Sequence, residues 1–256
     1  MMNDLPLTPA ELDISVMAPA HNEQDNVIPL AEAVEKAVAP LGRPWEMVII
    51  DDGSVDETPA KLAEACERFD FLRVFRVTNT PPGKGLGLTA AFYAGMRCCR
   101  GKIICTLDAD LQNDPADFPA MIELLESKQL DLVQGDRSAN RNDNFIRRMS
   151  SNTGRAFRGW VLGDKVKDTA CSLRAMRREL ALDIPFEFKG MHRFVPFYAK
   201  MRGFKVEPFP CRHHPRVAGD AKFGVWNRAI PGLIDLFAVR WMASRHRRPE
   251  VERQEG

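Results

Sequence analysis

Between residues 12 and 135 short apolar runs alternate with amphipathic stretches, and this alternation constrains the fold more than any other feature of the chain. The runs at 14–19 (ISVMAP), 45–50 (WEMVII), 72–77, 103–107 (IICTL) and 130–135 (LDLVQG) have strand length. Between the first two, Val27, Leu30, Ala31, Val34 and Ala37/Val38 fall on one helical stripe, which Pro40 and Gly42 end. Pro59 follows Thr58 in a pattern suited to the start of another helix, with Thr58 as its cap. Strands that alternate with helices predict an α/β domain with a largely parallel sheet and crossover helices. The 256 residues suffice for one such domain, or a domain and a small appendage.

In a sheet of this kind the loops beyond the strands' carboxyl ends converge on one edge, where ligands bind. The stretch 102–115 runs from a buried strand into Asp108, Asp110 and Gln112 at alternate positions. Asn113-Asp114-Pro115 then turns the chain and caps a helix. Two carboxylates and an amide oxygen suit a hard divalent cation, Mg²⁺ or Mn²⁺, which can in turn hold the phosphates of a nucleotide. A solvated acidic turn is the plainer reading of the same residues. Carboxylates recur in the loops at Asn22-Glu23 and Asp51-Asp52. Crowded acids repel, so their convergence asks for a ligand with N–H and O–H donors, such as a nucleoside, or for a metal. Singly, Glu23, Asp51 or Asp56 reads equally well as a helix-start acid. Gly83-Lys84-Gly85-Leu86-Gly87 lacks the Gly-Lys-Ser/Thr of the NTPase phosphate loop and is otherwise a plain turn.

A formal net charge of +1 gives no bias toward nucleic acid, although Arg and Lys thicken from Arg137 onward. The six cysteines form no paired Cys-x-x-Cys, which points to buried thiols in a reducing cytoplasm. The first residues do not read as a signal peptide, and no apolar run approaches the roughly 20 residues that span a bilayer. Beyond 136 the pattern loosens. We expect a basic loop leading into a helix over 137–158, a short strand over 168–175, a helix over 193–201, a strand over 205–211 and a flexible loop over 213–222. Ile230, Leu233, Ile234, Phe237, Ala238 and Trp241 then fall on one helical face, with Arg240, Arg245, Arg247 and Arg248 around and after it. That helix can pack on the core, dimerise, or lie on anionic lipid. His213-His214 lack a third ligand at useful spacing and read as loop residues; His192 reads as structural or acceptor-side.

The motifs PAHNEQDNV (19–27), VIIDDGSVDET (48–58), GKGLGLTAAFYAGM (83–96) and LDADLQNDP (107–115), in this order, resemble a family 2 glycosyltransferase with a GT-A fold. QGDR (134–137), DTACSLRAMRRE (168–179), GMHRFVPFYAKMRGFKVEPFP (190–210) and HHPRVAGDAKFG (213–224) are similar to the dolichyl- and undecaprenyl-phosphate sugar synthases. The resemblance spans about residues 12–241. His21 departs from the residues common at its position. Asp220-Ala221-Lys222 departs from the usual Gly-Glu/Gln-Ser-Lys wording. Within residues 1–256 we expect no counterpart of the terminal pair of transmembrane helices that many members carry.

The resemblance implies an α/β GT-A fold: a mostly parallel sheet with helices on both faces, plus a C-terminal amphipathic helix. It divides the chain into a tail (1–11), the GT-A domain (12–224), an interfacial helix (225–245) and a polar flexible tail (246–256). Pro19, Ala20, Glu23, Asp52, Ser54, Lys84, Asp108, Ala109 and Arg148 would bind the nucleotide sugar. Asp108, Asp110 and Gln112 would hold the divalent metal. Asp110, Arg137, Asp168, Arg216 and Lys222 would carry the chemistry, the basic residues among them gripping phosphates. The implied reaction is metal-dependent and inverting, from a UDP- or GDP-sugar to a polyprenyl phosphate, on the cytoplasmic face of a membrane, with no nucleic acid. A membrane-protein partner or a second copy would be a further partner. The alternatives are elongation of a glycan on a hydroxyl acceptor, with Asp168 as base, and a catalytically silent scaffold.

Overall fold

The computed structural model describes residues 11–81, 83–138, 154, 156–164, 166, 168–214 and 226–247. Among the described residues seven strands form one sheet: β1 (Leu12–Ala20), β2 (Trp45–Asp51), β3 (Leu72–Arg76), β4 (Gly101–Thr106), β5 (Leu132–Asp136), β6 (Arg174–Arg177) and β7 (Val206–Pro210). Their order is β3-β2-β1-β4-β6-β5-β7. β1 pairs in parallel with β2 and β4, β2 with β3, and β5 with β7. Only β6 runs the other way, antiparallel to both β4 and β5. Six strands therefore share a direction, and their carboxyl ends lie along one edge.

Alternation along each strand explains why helices cover both faces. Ile14, Val16 and Ala18 of β1, Met47 and Ile49 of β2, and Ile103 and Cys105 of β4 join one apolar cluster. That cluster includes α1 (Val27–Val38), α2 (Thr58–Arg68) and α4 (Phe118–Ser127). Met17, Val48, Ile50 and Ile104 point into the other. There they meet α3 (Leu88–Cys98), the helix α5 over 156–162, α6 (Arg178–Asp183), α7 (Val195–Met201) and α8 (Trp226–Arg245). The α1 stripe read from sequence is buried throughout: Val27, Leu30, Ala31, Val34 and Val38.

Three expectations need correction. The strand expected over 168–175 begins only at Arg174, because the Asp168 carboxylate accepts the Ala170 N–H at 3.2 Å and turns the chain. The helix expected from 193 starts as a 3₁₀ turn, Met191–Arg193, and α7 begins at Val195 with Pro196 in its first turn. Asp56, not Thr58, supplies the acceptor at the start of α2, taking the Thr58 N–H at 3.0 Å.

The terminal helix divides its apolar residues differently from the simple stripe. Leu236 and Val239 are buried against the second cluster. Leu233, Ile234, Phe237 and Trp241 of the predicted face are 44%, 64%, 56% and 63% exposed. Phe157 of α5 meets Phe237 edge-on at 6.5 Å and Trp160 at 6.0 Å, and Trp160 is 80% exposed. α5 and α8 thus present a joint apolar surface. No helix among the described residues is long and apolar enough to cross a membrane.

Candidate active site

The loop leaving β4 carries Asp108, Asp110 and Gln112, each partly exposed at the carboxyl edge, with Ala109 buried between the acids. Leu111 adopts a left-handed backbone (φ 56°), and the Asp110 carboxylate accepts the Gln112 N–H at 3.2 Å, which folds the loop back on itself. Asp114 then caps the following turn by accepting the Ala116 N–H at 2.9 Å, as the sequence predicts. Burial pushes the Asp108 carboxyl above its usual range and the neighbouring Asp110 adds to this; a Ser172 hydrogen bond and the charges of Arg137 and Arg174 oppose it.

These three residues fit a divalent cation. Among the described residues no group of three His, Cys, Asp or Glu side chains could hold a metal ion. A site of two carboxylates and one amide oxygen, completed by substrate phosphates and water, is the form Mg²⁺ favours. A bound cation would counter both the burial that raises the Asp108 carboxyl and the lesser repulsion from Asp110.

Arg137 and Asp168 form a buried clamp beside this loop. The Asp168 carboxylate accepts from Arg137 Nε at 2.8 Å, Nη2 at 3.2 Å and the backbone N–H at 3.3 Å. Their side chains are 14% and 6% exposed. Burial opposes the Arg137 charge, but the Asp168 hydrogen bond and the negative charge of Asp168, Asp108 and Cys171 together outweigh it and hold the guanidinium firmly protonated.

Beneath the clamp lies Arg174, the largest fully buried side chain among the described residues, whose role the sequence did not reveal. It donates to Gln134 Oε1 at 2.8 Å and to the carbonyls of Thr169 at 3.3 Å and His192 at 2.9 Å. Burial pulls its pKa down to about 10. His192 Nδ1 in turn lies 2.9 Å from Thr89 Oγ1 in the first turn of α3. Arg174 thereby joins the Asp168 loop, β5 and the 3₁₀ turn before α7. The one available signal was an arginine set between Leu173 and the Ala175-Met176 pair of β6.

On the other half of the edge, Pro19 and Ala20 end β1, and the Asp52 N–H donates to the Ala20 carbonyl at 2.9 Å. Glu23 is half-buried and accepts from Asn26 Nδ2 at 2.8 Å. Ser54 is buried; its N–H donates to Asp51 Oδ1 at 2.9 Å and its hydroxyl accepts the Asn22 N–H at 3.0 Å. The Asp52 carboxylate is engaged by the Gly-rich loop, accepting the N–H of Leu86 at 2.8 Å and of Gly87 at 2.7 Å. Gly85 passes so close that a Cβ would stand 2.2 Å from Asp52 Oδ2. Lys84 is exposed on that loop.

After β7 the segment 211–214 zips onto the candidate metal loop: His213 bridges Asn113, and the His214 N–H donates to the Gln112 carbonyl at 2.8 Å. Of the residues read from sequence, the structure brings together Asp108, Ala109, Asp110, Gln112, Arg137 and Asp168. Arg148, Arg216 and Lys222 lie outside the described residues.

The family model for glycosyl transferase family 2 matches residues 15–184. The dodecaprenyl-phosphate galacturonate synthase of Rhizobium johnstonii is 32% identical over 241 residues, covering 93% of this chain and 69% of that protein. The undecaprenyl-phosphate 4-deoxy-4-formamido-L-arabinose transferase of Klebsiella pneumoniae is 33% identical over 223 residues, 87% of this chain and 66% of the relative. The chain thus spans about two thirds of the length of these relatives. Among solved structures, a mannosyltransferase from Pyrobaculum calidifontis in complex with GDP-Man and Mn²⁺ superposes with a TM-score of 0.65 at 17% identity, covering 97% of this chain and 70% of that one. Glucosyl-3-phosphoglycerate synthase from Mycobacterium tuberculosis, with Mn²⁺, UDP and phosphoglyceric acid, also gives 0.65 at 20% identity, covering 90% and 79%. Both likenesses establish the GT-A fold.

Proposed function

Since the chain belongs to glycosyl transferase family 2, we propose that it moves a sugar from a UDP- or GDP-sugar onto a polyprenyl phosphate at a membrane surface. Both relatives above are named for a polyprenyl phosphate, and each likeness covers most of this chain. The observation that carries the reading is the placement of the Asp108–Asp110–Gln112 loop directly beside the Arg137–Asp168 clamp.

Asp108, Asp110 and Gln112 would hold a Mg²⁺ or Mn²⁺ ion, which when bound supplies Lewis acidity to the departing diphosphate. Pro19, Ala20, Glu23, Ser54 and the Asp52-anchored Gly-rich loop face the nucleotide side. Arg137, fixed by Asp168, directs its charge toward a phosphate and offsets the repulsion between two anionic substrates. By the family resemblance Arg148, Arg216 and Lys222 add to that grip. A phosphate acceptor is already ionised at neutral pH, so attack on the anomeric carbon needs no strong base, and in-line displacement inverts that carbon. A hydroxyl acceptor would need one. Asp168, the best candidate, already accepts three hydrogen bonds from Arg137 and one from Ala170, which suits a clamp better than a proton acceptor.

The exposed apolar side chains of α5 and α8, together with Arg240, Arg245 and Arg247, support peripheral binding to the cytoplasmic face of a membrane. The test is incubation with UDP- and GDP-sugars and undecaprenyl phosphate in vesicles, read by mass spectrometry of the lipid. A lipid-phosphate sugar supports the reading; transfer to hydroxyl acceptors alone rejects it.

A further inference from the structure

Cys171 and Cys211 meet behind the active site with their sulfurs 3.8 Å apart and both side chains fully buried. Cys171 lies in the Asp168 loop, and Cys211 follows β7 at the start of the segment that zips onto the candidate metal loop. Gly135 makes room for them: a Cβ there would stand 2.9 Å from Cys171 Sγ and 3.2 Å from Cys211 Sγ. The remaining cysteines differ. Burial is the chief cause that pushes the thiols of Cys66, Cys98, Cys99 and Cys105 up. Cys171 is instead held below the ordinary thiol range, chiefly by the hydrogen bond from Cys211 and with help from Arg137, despite its burial.

We propose that Cys171 and Cys211 form a reversible disulfide that arrests the active site when a hydroperoxide oxidises it. The Cys171 thiolate attacks one oxygen of hydrogen peroxide; the O–O bond breaks, hydroxide leaves and takes up a proton as water, and Cys171 becomes a sulfenic acid. Cys211 sulfur then displaces the sulfenic oxygen, which leaves as water with the Cys211 proton. The two thiols are oxidised by two electrons and the peroxide is reduced to two waters. The S–S bond is about 2.05 Å, so the sulfurs close by about 1.8 Å. That movement draws on both neighbours of the candidate metal loop. Cys171 touches Asn113 Oδ1 at 3.7 Å, its carbonyl accepts from Gln134, and the adjacent Ser172 accepts from Asn113 Nδ2 at 2.9 Å. His213, two residues beyond Cys211, bridges Asn113 from the other side. A shift of about 1 Å in a positioned group can slow turnover about a hundredfold.

The experiment treats the full chain with hydrogen peroxide, alkylates free thiols and maps the peptides by mass without reduction. We expect a linked pair containing Cys171 and Cys211, two hydrogens lighter than its parts, formed more slowly than the oxidation of exposed Cys66. Transferase turnover, a readout that rests on the proposed function, should fall at least about tenfold with the link and return with dithiothreitol. Cys211→Ser and Cys211→Ala should each abolish the link and keep turnover under peroxide. Absence of the link once Cys66 is fully oxidised would overturn the proposal, as would a link that leaves turnover intact. Reduced protein without turnover on any donor would count against the transferase reading alone, because the link is read with no substrate present.

Discussion

Asp168→Asn tests the buried clamp most sharply. The substitution keeps the side chain's shape but removes its charge and replaces one acceptor with an N–H₂ group. Arg137 Nε and Nη2, now bonded at 2.8 and 3.2 Å, would lose an acceptor and face an N–H. With the two side chains 14% and 6% exposed, water cannot readily take the carboxylate's place. Removing one partner of a buried pair costs about 3–5 kcal/mol, because the other charge stays buried and uncompensated. Asp108 lies close enough to recover part of that, so we expect about 3 kcal/mol. In a domain of this size that lowers the melting temperature on the order of 10 °C. Thermal unfolding followed by circular dichroism, with urea titration as a second measure, reads it directly. The double variant Arg137→Met with Asp168→Leu carries no unpaired charge and should be less destabilised than the sum of the two singles. A melting temperature for Asp168→Asn within about 1 °C of the parent, or strict additivity in the double-mutant cycle, would refute the reasoning.

Further outcomes follow from other parts of the molecule. Burial would push the Glu46 carboxyl up, but hydrogen bonds from Arg73, the Arg100 N–H and Ser15 hold it below its ordinary 4.5. Its contribution to stability is therefore fully present above that value and lost as pH falls through the lower folded value, and Glu46→Gln should flatten this part of the acid limb in pH-dependent urea unfolding. Gly85→Ala would place a Cβ 2.2 Å from Asp52 Oδ2, forcing the loop off its carboxylate anchor, and should raise the donor KM on the order of tenfold, about 1.4 kcal/mol, in steady-state kinetics. Phe237→Ser with Trp241→Ser removes two exposed apolar side chains, each worth about 1.5–3 kcal/mol when buried in lipid, and should weaken sedimentation with anionic vesicles on the order of a hundredfold while helix content stays unchanged.

The sequence was legible where one period ruled one element. The α1 stripe and the alternating residues of β1, β2 and β4 are buried as their spacing requires, because local periodicity and tertiary burial agree there. The turn at Asp114-Pro115 was legible for the same kind of reason, since a side-chain acceptor and a missing N–H both act within three residues. β6 was harder. Its direction and starting point depend on the Asp168 turn and on pairing with two strands distant in sequence. α8 carries apolar residues on more than one face, so spacing alone could not say that Leu236 and Val239 pack inward while Phe237 and Trp241 point out. Asp108, Asp110 and Gln112 stood out as polar groups beyond a strand's end, whereas Arg137 and Asp168 came only from the family resemblance. Arg174 did not stand out, since its acceptors come from three separate parts of the chain. The link from Asp52 to Leu86 and Gly87 joins residues 34 and 35 apart through backbone groups that leave no mark in sequence.

The most direct test of the account is sugar transfer to undecaprenyl phosphate in vesicles, with UDP- and GDP-sugars, measured with Mn²⁺ or Mg²⁺ and with chelator, for the parent chain and Asp110→Ala. The account predicts a lipid-phosphate sugar that needs the cation, and a loss on the order of a hundredfold or more in Asp110→Ala with its fold intact by circular dichroism. Equal turnover in chelator, or an Asp110→Ala variant that works as well as the parent, would contradict it.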